Sequence, residues 1–202
     1  MAALLVAGCT GPAAFPERSR LPPPTHLTLS DSWQTLPNAG PARAVKLTEA
    51  RWRELVAVHA AVQRKITYVS DRAQYGKLDF WTLPVSGAGD CEDMALERMD
   101  RLLRLGWPRG ALRMAVVDPP DLPRWHAVLT VETDRGVYVL DYLVSGPPLP
   151  WSDLSYRWIA REWPIKADVV WEVFTPGGPA NLFPSPTITS GGSRDDPDVI
   201  LE

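Results

Sequence analysis

Between Leu47 and Ile66 apolar residues recur at Leu55, Val58, Val62 and Ile66, a spacing of three, four and four that puts them on one helix face. Thr48 stands where a side-chain oxygen can cap that helix, and His59 falls on the apolar face, where a lone histidine reads as a core or rim residue. A second helix is predicted from about Cys91 to Leu105, burying Ala95, Met99, Leu102 and Leu103 and stopping at Gly106, with Pro108 just beyond. The pattern then changes. Leu112 to Val117, Ala127 to Thr133 and Val137 to Leu143 are β-branched and aromatic runs, and Asp134-Arg135-Gly136 between the last two is a hairpin signal. Helices followed by antiparallel strands predict an α+β domain.

Proline sets the boundaries. Of the 21 prolines, 12 lie in residues 1–44 and 176–202, which leaves about 45–175 as the folded unit. Residues 1–44 are expected to be an apolar signal segment and an extended proline-rich tether, and 176–202 a loose tail. Val6-Ala7-Gly8-Cys9 resembles the lipobox of bacterial lipoproteins, whose cysteine is acylated after signal cleavage; an ordinary secretory leader is the other reading. Because no Lys or Arg precedes Cys9, the natural start is expected upstream. Either leader puts the domain outside the cytoplasm, in the periplasm. A formal charge of −3 offers no basic face for nucleic acid, and no apolar run is long enough to span a membrane. Two cysteines and three histidines supply neither a disulfide scaffold nor a Cys/His zinc site. Trp151, Trp158, Trp163 and Trp171 read as core and rim aromatics covering the sheet.

Cys91 lies in Gly87-Ala88-Gly89-Asp90-Cys91-Glu92-Asp93, where a glycine-rich loop delivers it to the first turn of the second helix. The unpaired amides and positive dipole end there favour a thiolate. A thiolate that acts as a nucleophile needs a base and a group to orient it. His126 opens one hairpin strand and Asp141 lies near the end of the other. With Asp134-Arg135 as a two-residue turn, paired positions sum to 269, so Asp141 faces Val128 and is the diagonal neighbour of His126. A turn one residue longer reverses the face unless a bulge restores it. A buried structural cysteine, or a disulfide to Cys9, is the alternative for Cys91.

These residues and their neighbours resemble the bacterial transglutaminase-like cysteine proteinases, the family of the periplasmic LapG-type proteases that release biofilm adhesins. The matching blocks run in order: Ile66-Thr67-Tyr68-Val69-Ser70-Asp71, Tyr75-Gly76, Asp79-Phe80-Trp81 with Pro84, Gly89-Asp90-Cys91-Glu92-Asp93, His126-Ala127-Val128-Leu129 and Val139-Leu140-Asp141. The resemblance implies a papain-like or transglutaminase-like fold, with N-terminal helices packed on an antiparallel sheet. It implies a triad of Cys91, His126 and Asp141, and a calcium ion held by Asp90, Glu92 and Asp93. Without a metal, Asp90 would be a helix N-cap and the other two favourable first-turn charges, but three carboxylates beside a thiol oppose its ionisation and a hard cation would neutralise them. The implied substrate is a surface adhesin, and the implied partner an inner-membrane cyclic di-GMP receptor that sequesters the protease. Met94, where the family commonly has an aromatic residue, and Tyr142, where many members have asparagine, point to a divergent branch. A transglutaminase-type acyltransferase or a non-catalytic protein-binding domain are the competing functions.

Overall fold

Helix α1 (Glu49–Lys65) begins as the sequence predicts: Thr48 Oγ1 accepts the Arg51 amide at 3.2 Å, and the acidic first turn and basic last turn suit the helix dipole. These relations come from a computed structural model that describes residues 43–162 in full and the backbone of 19–21, 28–29, 163 and 170–173. Cys9, most of the proline-rich stretch and the tail from 176 to 202 lie outside the described residues. Leu55, Val58, His59 and Val62 form the buried face of α1. Ile66 is not part of it; it is the C-cap, extended at φ −101° and ψ 124°, because the chain turns there into the two-residue strand β3 (Thr67–Tyr68).

A short helix, α2 (Asp71–Tyr75), and the strands β4 (Phe80–Trp81) and β5 (Ala88–Gly89) lead to α3 (Cys91–Arg104). Helix α3 buries Ala95, Met99 and Leu102 as expected, but also Leu96 and Arg98, while Leu103 is half-buried and Leu105 exposed. Gly106 ends it with a left-handed φ of 77°. Each fully buried leucine or methionine on this face is worth about 1.5–3 kcal/mol in transfer free energy.

The main sheet has seven strands in the order β1-β11-β10-β6-β7-β8-β9, every neighbouring pair antiparallel. Its centre is β6 (Leu112–Asp118), β7 (His126–Thr133) and β8 (Gly136–Leu140). Next to β6 lies β10 (Arg157–Trp163), then β11 (Val170–Val173) and β1 (Ser19–Leu21); β9 (Leu149–Pro150) closes the other edge. Strand β2 (Thr28–Leu29) pairs with β4. Both β1 and β2 fall within the stretch expected to be a tether; strands of two or three residues are too short to leave a periodic signal.

The hairpin has the predicted register, Thr133 opposite Gly136 and Leu129 opposite Leu140. Strand β8 stops at Leu140 rather than Leu143 because Asp141 starts a turn, its carbonyl accepting the Val144 amide at 3.2 Å. Alternation divides the sheet cleanly. Leu112, Met114, Val116, Ala127, Leu129, Val131 and Leu140 face α1 and α3, whereas Ala115, Val117, Val128, Val139 and Trp158 form a second cluster on the other face. Trp151, Leu154 and Tyr156 cover that second cluster, and Trp151 meets Trp158 edge to face at 6.0 Å. Trp163 and Trp171 lie on β10 and β11, with their side chains outside the described residues. A bulge between Trp158 and Ala160 re-phases β10, so that Ile159 and Ala160 both join the helix-side core.

Candidate active site

Cys91 is the first residue of α3 and fully buried. Its Sγ accepts the amide of Ala127 at 3.5 Å and donates to Glu92 Oε2 at 3.1 Å; among the described residues it forms no disulfide. The thiol therefore lies against the peptide unit that joins His126 to Ala127. His126 is bonded through Nε2 to Asp141 Oδ1 at 2.6 Å, and both side chains are fully buried. With the Nε2 proton on Asp141, Nδ1 is the basic nitrogen, and that atom is buried without a hydrogen-bond partner among the described residues. Asp141 Oδ1 also accepts the Leu143 amide at 2.9 Å, and Oδ2 accepts the Tyr156 hydroxyl at 2.6 Å. Tyr142 sets its ring edge-on against His126, with ring centroids 5.0 Å apart.

A second group of carboxylates surrounds the start of α3. The parallel pairing of β3 with β5, Thr67 opposite Ala88 and Tyr68 opposite Gly89, brings the start of α2 beside the start of α3. Asp71 donates its amide to Asp90 Oδ2 at 3.0 Å, and Asp71 Oδ2 accepts the Phe80 amide. Carboxylate oxygens of Asp71, Asp90 and Glu92 lie within 4.8 Å of one another, all buried. Asp93 is not one of the three. Its Oδ1 accepts the Thr82 amide at 2.9 Å, and its side chain packs so tightly on Gly89 that a Cβ there would stand 2.6 Å from Asp93 Oδ2. Asp90 holds the N-cap position, but its carboxylate bonds Asp71 and makes no capping bond to α3.

The sequence profile of the bacterial transglutaminase-like cysteine proteinases, BTLCP, matches residues 31–176, well over half of the chain. The chain belongs to that family. Among solved structures it is similar to calcium-bound LapG of Legionella pneumophila, with 24% identity and a TM-score of 0.52 over 67% of this chain and 75% of that one. It is also similar to EGTA-treated LapG of the same organism, with 25% identity and a TM-score of 0.51 over 64% and 70%. A comparison with curated protein sequences gave no match. The mixed helix and antiparallel sheet is thus a transglutaminase-like protease fold, and this proteinase is a cysteine peptidase.

The electrostatics of the proteinase divide along the two groups. Burial pushes Asp79 and Asp90 up to about 7 and Asp93 up to about 9, and raises Glu92 well above its ordinary value; their mutual repulsion adds to this. Burial likewise raises Cys91, and Asp90 raises it further, against smaller opposing contributions from the Ala127 amide and Glu92. Asp141 is the opposite case. Burial works to raise it, but the charge of His126 and hydrogen bonds from His126, Tyr156 and Leu143 outweigh this and hold it below the usual carboxylate range.

Sequence reasoning missed Asp71, Asp79 and Tyr156. Asp71 and Asp79 stand in blocks that match the family pattern, Ser70-Asp71 and Asp79-Phe80-Trp81, and those blocks were the available signal. Tyr156 precedes β10 without any local signal. Trp81 is a core residue whose indole donates to Asp79 Oδ1 at 2.9 Å. His59 is buried, 3.4 Å from the Val144 carbonyl, and burial together with Arg98 lowers it to about 4.

Proposed function

We propose that the protein is a calcium-dependent cysteine endopeptidase that acts outside the cytoplasm on a surface adhesin, through Cys91, His126 and Asp141. The observation that carries this reading is the 2.6 Å bond from His126 Nε2 to Asp141, on a strand whose next amide touches Cys91 Sγ at 3.5 Å. Cys91 Sγ attacks the scissile carbonyl carbon while His126 Nδ1 takes the thiol proton. The imidazolium then gives that proton to the leaving amine as the C–N bond breaks, leaving a thioester on Cys91. Water attacks the thioester, its proton passes to His126, and the free acid departs as the thiol is restored. Asp141 keeps the imidazole in the tautomer that presents Nδ1 to the thiol.

Asp71, Asp90 and Glu92 would hold the calcium ion. The fit rests on buried oxygens: Asp90 Oδ1, Glu92 Oε1 and the adjoining Asp79 Oδ2 have no hydrogen-bond donor among the described residues, a donor set of hard oxygens suited to calcium. Bound there, calcium would supply positive charge that offsets the carboxylates beside the thiol. The calcium-bound and EGTA-treated structures of the similar LapG support its relevance. Cys9 as lipid anchor, a periplasmic location and sequestration by a cyclic di-GMP receptor rest on the leader and on the family resemblance.

The test is incubation of the protein with an N-terminal adhesin fragment, with and without EGTA, beside Cys91→Ala. Cleavage is expected only for the native residue in calcium. Cleavage by Cys91→Ala would sink the nucleophile, and unchanged cleavage in EGTA would sink the metal.

A further inference from the structure

Asp141 is held by three donors from three parts of the fold. His126 reaches it from β7, the Leu143 amide from its own turn, and Tyr156 from the segment entering β10. The first two share Oδ1. On their own they leave Oδ2 of a fully buried carboxylate without a donor and the carboxylate plane free to turn about Cβ–Cγ. Tyr156 is the sole side chain on Oδ2 among the described residues. Its ring packs on the cluster of Ala115, Val117, Val128, Val139 and Trp158, so the hydroxyl is presented from a fixed platform. Burial, and then the charge of Asp141, raise the phenol above its ordinary value, which keeps it a donor at any pH the enzyme meets. The other groups that face Asp141 cannot replace it: Arg98 from α3 acts on it through charge and has its Nη2 bonded to Gln63 Oε1 at 2.9 Å, and His59 from α1 has its Nε2 turned to the Val144 carbonyl at 3.4 Å.

We propose that Tyr156 is a positioning residue of the proteinase, whose hydroxyl on Asp141 Oδ2 fixes the carboxylate plane and thereby the orientation of the His126 ring. This rests on the Cys91, His126 and Asp141 reading. It adds to that set a residue that touches neither substrate nor thiol and acts through Asp141. The role differs from anchoring β10, because it requires the hydroxyl and not the ring.

The test uses the full chain in calcium and needs no substrate for its first readout. Exchange of the His126 Nε2 proton with water, followed by NMR, is expected to speed up about tenfold in Tyr156→Phe while the melting temperature moves little. On an adhesin fragment, kcat is expected to fall about tenfold, equivalent to about 1.4 kcal/mol, with KM within twofold. In an Asp141→Asn background the same substitution is expected to cost less than threefold, since the group it positions is already altered. Unchanged ring-proton exchange, or an equal loss in both backgrounds, would reduce Tyr156 to a structural anchor and overturn the proposal. Should Tyr156→Phe not fold, 3-fluorotyrosine at position 156 keeps ring and hydroxyl and is the stronger donor. It is expected to slow the exchange, and an unchanged rate overturns the proposal equally. Cleavage retained by Cys91→Ala would instead refute the triad, and would leave the ring-exchange result standing.

Discussion

Asp141, bonded to His126, and the acidic group beside Cys91 at the start of α3 are both buried carboxylates, yet their chemistry is opposite. Three donors converge on Asp141, each hydrogen bond to a charged group being worth about 1.5–3 kcal/mol, and it stays ionised in spite of its burial. Asp90 accepts one backbone amide, Asp79 one indole and Glu92 one thiol, and each keeps a buried oxygen with no donor among the described residues. Burial therefore does not decide the state of a carboxylate. The supply of protons around it does, and where that supply is short the site calls for a cation or for protonation.

The sharpest way to break the contrast is to remove the satisfied carboxylate. Asp141→Asn is expected to lower kcat on the order of 10³-fold with little change in melting, because the neutral amide carries no charge to offset the imidazolium and its NH2 group can turn towards Nε2 and favour the wrong tautomer; a loss under tenfold would mean that Asp141 does not orient His126. Next in size is the unsatisfied group. Calcium at a hundred times its dissociation constant is expected to stabilise the native protein by about 2.7 kcal/mol, and Glu92→Gln to abolish most of that gain in a melting series. Equal calcium stabilisation of the variant would remove Glu92 from the ligand set.

Gly89→Ala is expected to cost about 1–3 kcal/mol through overpacking against Asp93, read by urea denaturation. A neutral result would mean that Asp93 turns aside freely. The gentlest effect is a slope with pH. In chelated protein the folded values of Asp79 and Asp90, about 7, and of Asp93, about 9, lie above those of the unfolded chain. Their contribution is complete below about pH 4 and is lost as pH rises through 7 and 9, so the melting temperature should fall across that window. Asp141 has the opposite sign: its contribution is present above about pH 4 and lost below it. A melting temperature that rises from pH 5 to pH 8 in EGTA would contradict the account of the acidic group.

Regular elements were legible because they repeat. The 3.6-residue period located α1 and α3, Thr48 marked a true cap, and the Asp134-Arg135 turn was enough to set the hairpin register on which the His126 to Asp141 bond depends. The acidic group was only half legible. Asp90 and Glu92 sit beside Cys91 in the chain, but Asp71 arrives through a two-residue parallel pairing that has no periodicity, and Asp93 turns away to Thr82. Tyr156 was illegible for a related reason: a lone aromatic before a strand does not reveal which distant carboxylate it meets. Local rules marked the candidate residues, and long-range pairing decided which side chains stand together.

The bulge in β10 ties chain length to the state of Asp141. Downstream of it Ala160 faces the helices, and upstream Trp158 and Tyr156 face the other way, towards Val128 and Asp141. Ile159 is the extra residue, since Trp158 pairs with Val117 and Ala160 with Val116. Deleting Ile159 would restore regular alternation and keep Tyr156 towards the carboxylate, whereas inserting one residue between Tyr156 and Trp158 would leave every named site residue in the sequence and still turn Tyr156 to the other face. For this chain the reading frame of a strand is as much a part of the site as the identity of its side chains, so a one-residue change of length between Tyr156 and Trp158 is a more severe change than most substitutions there.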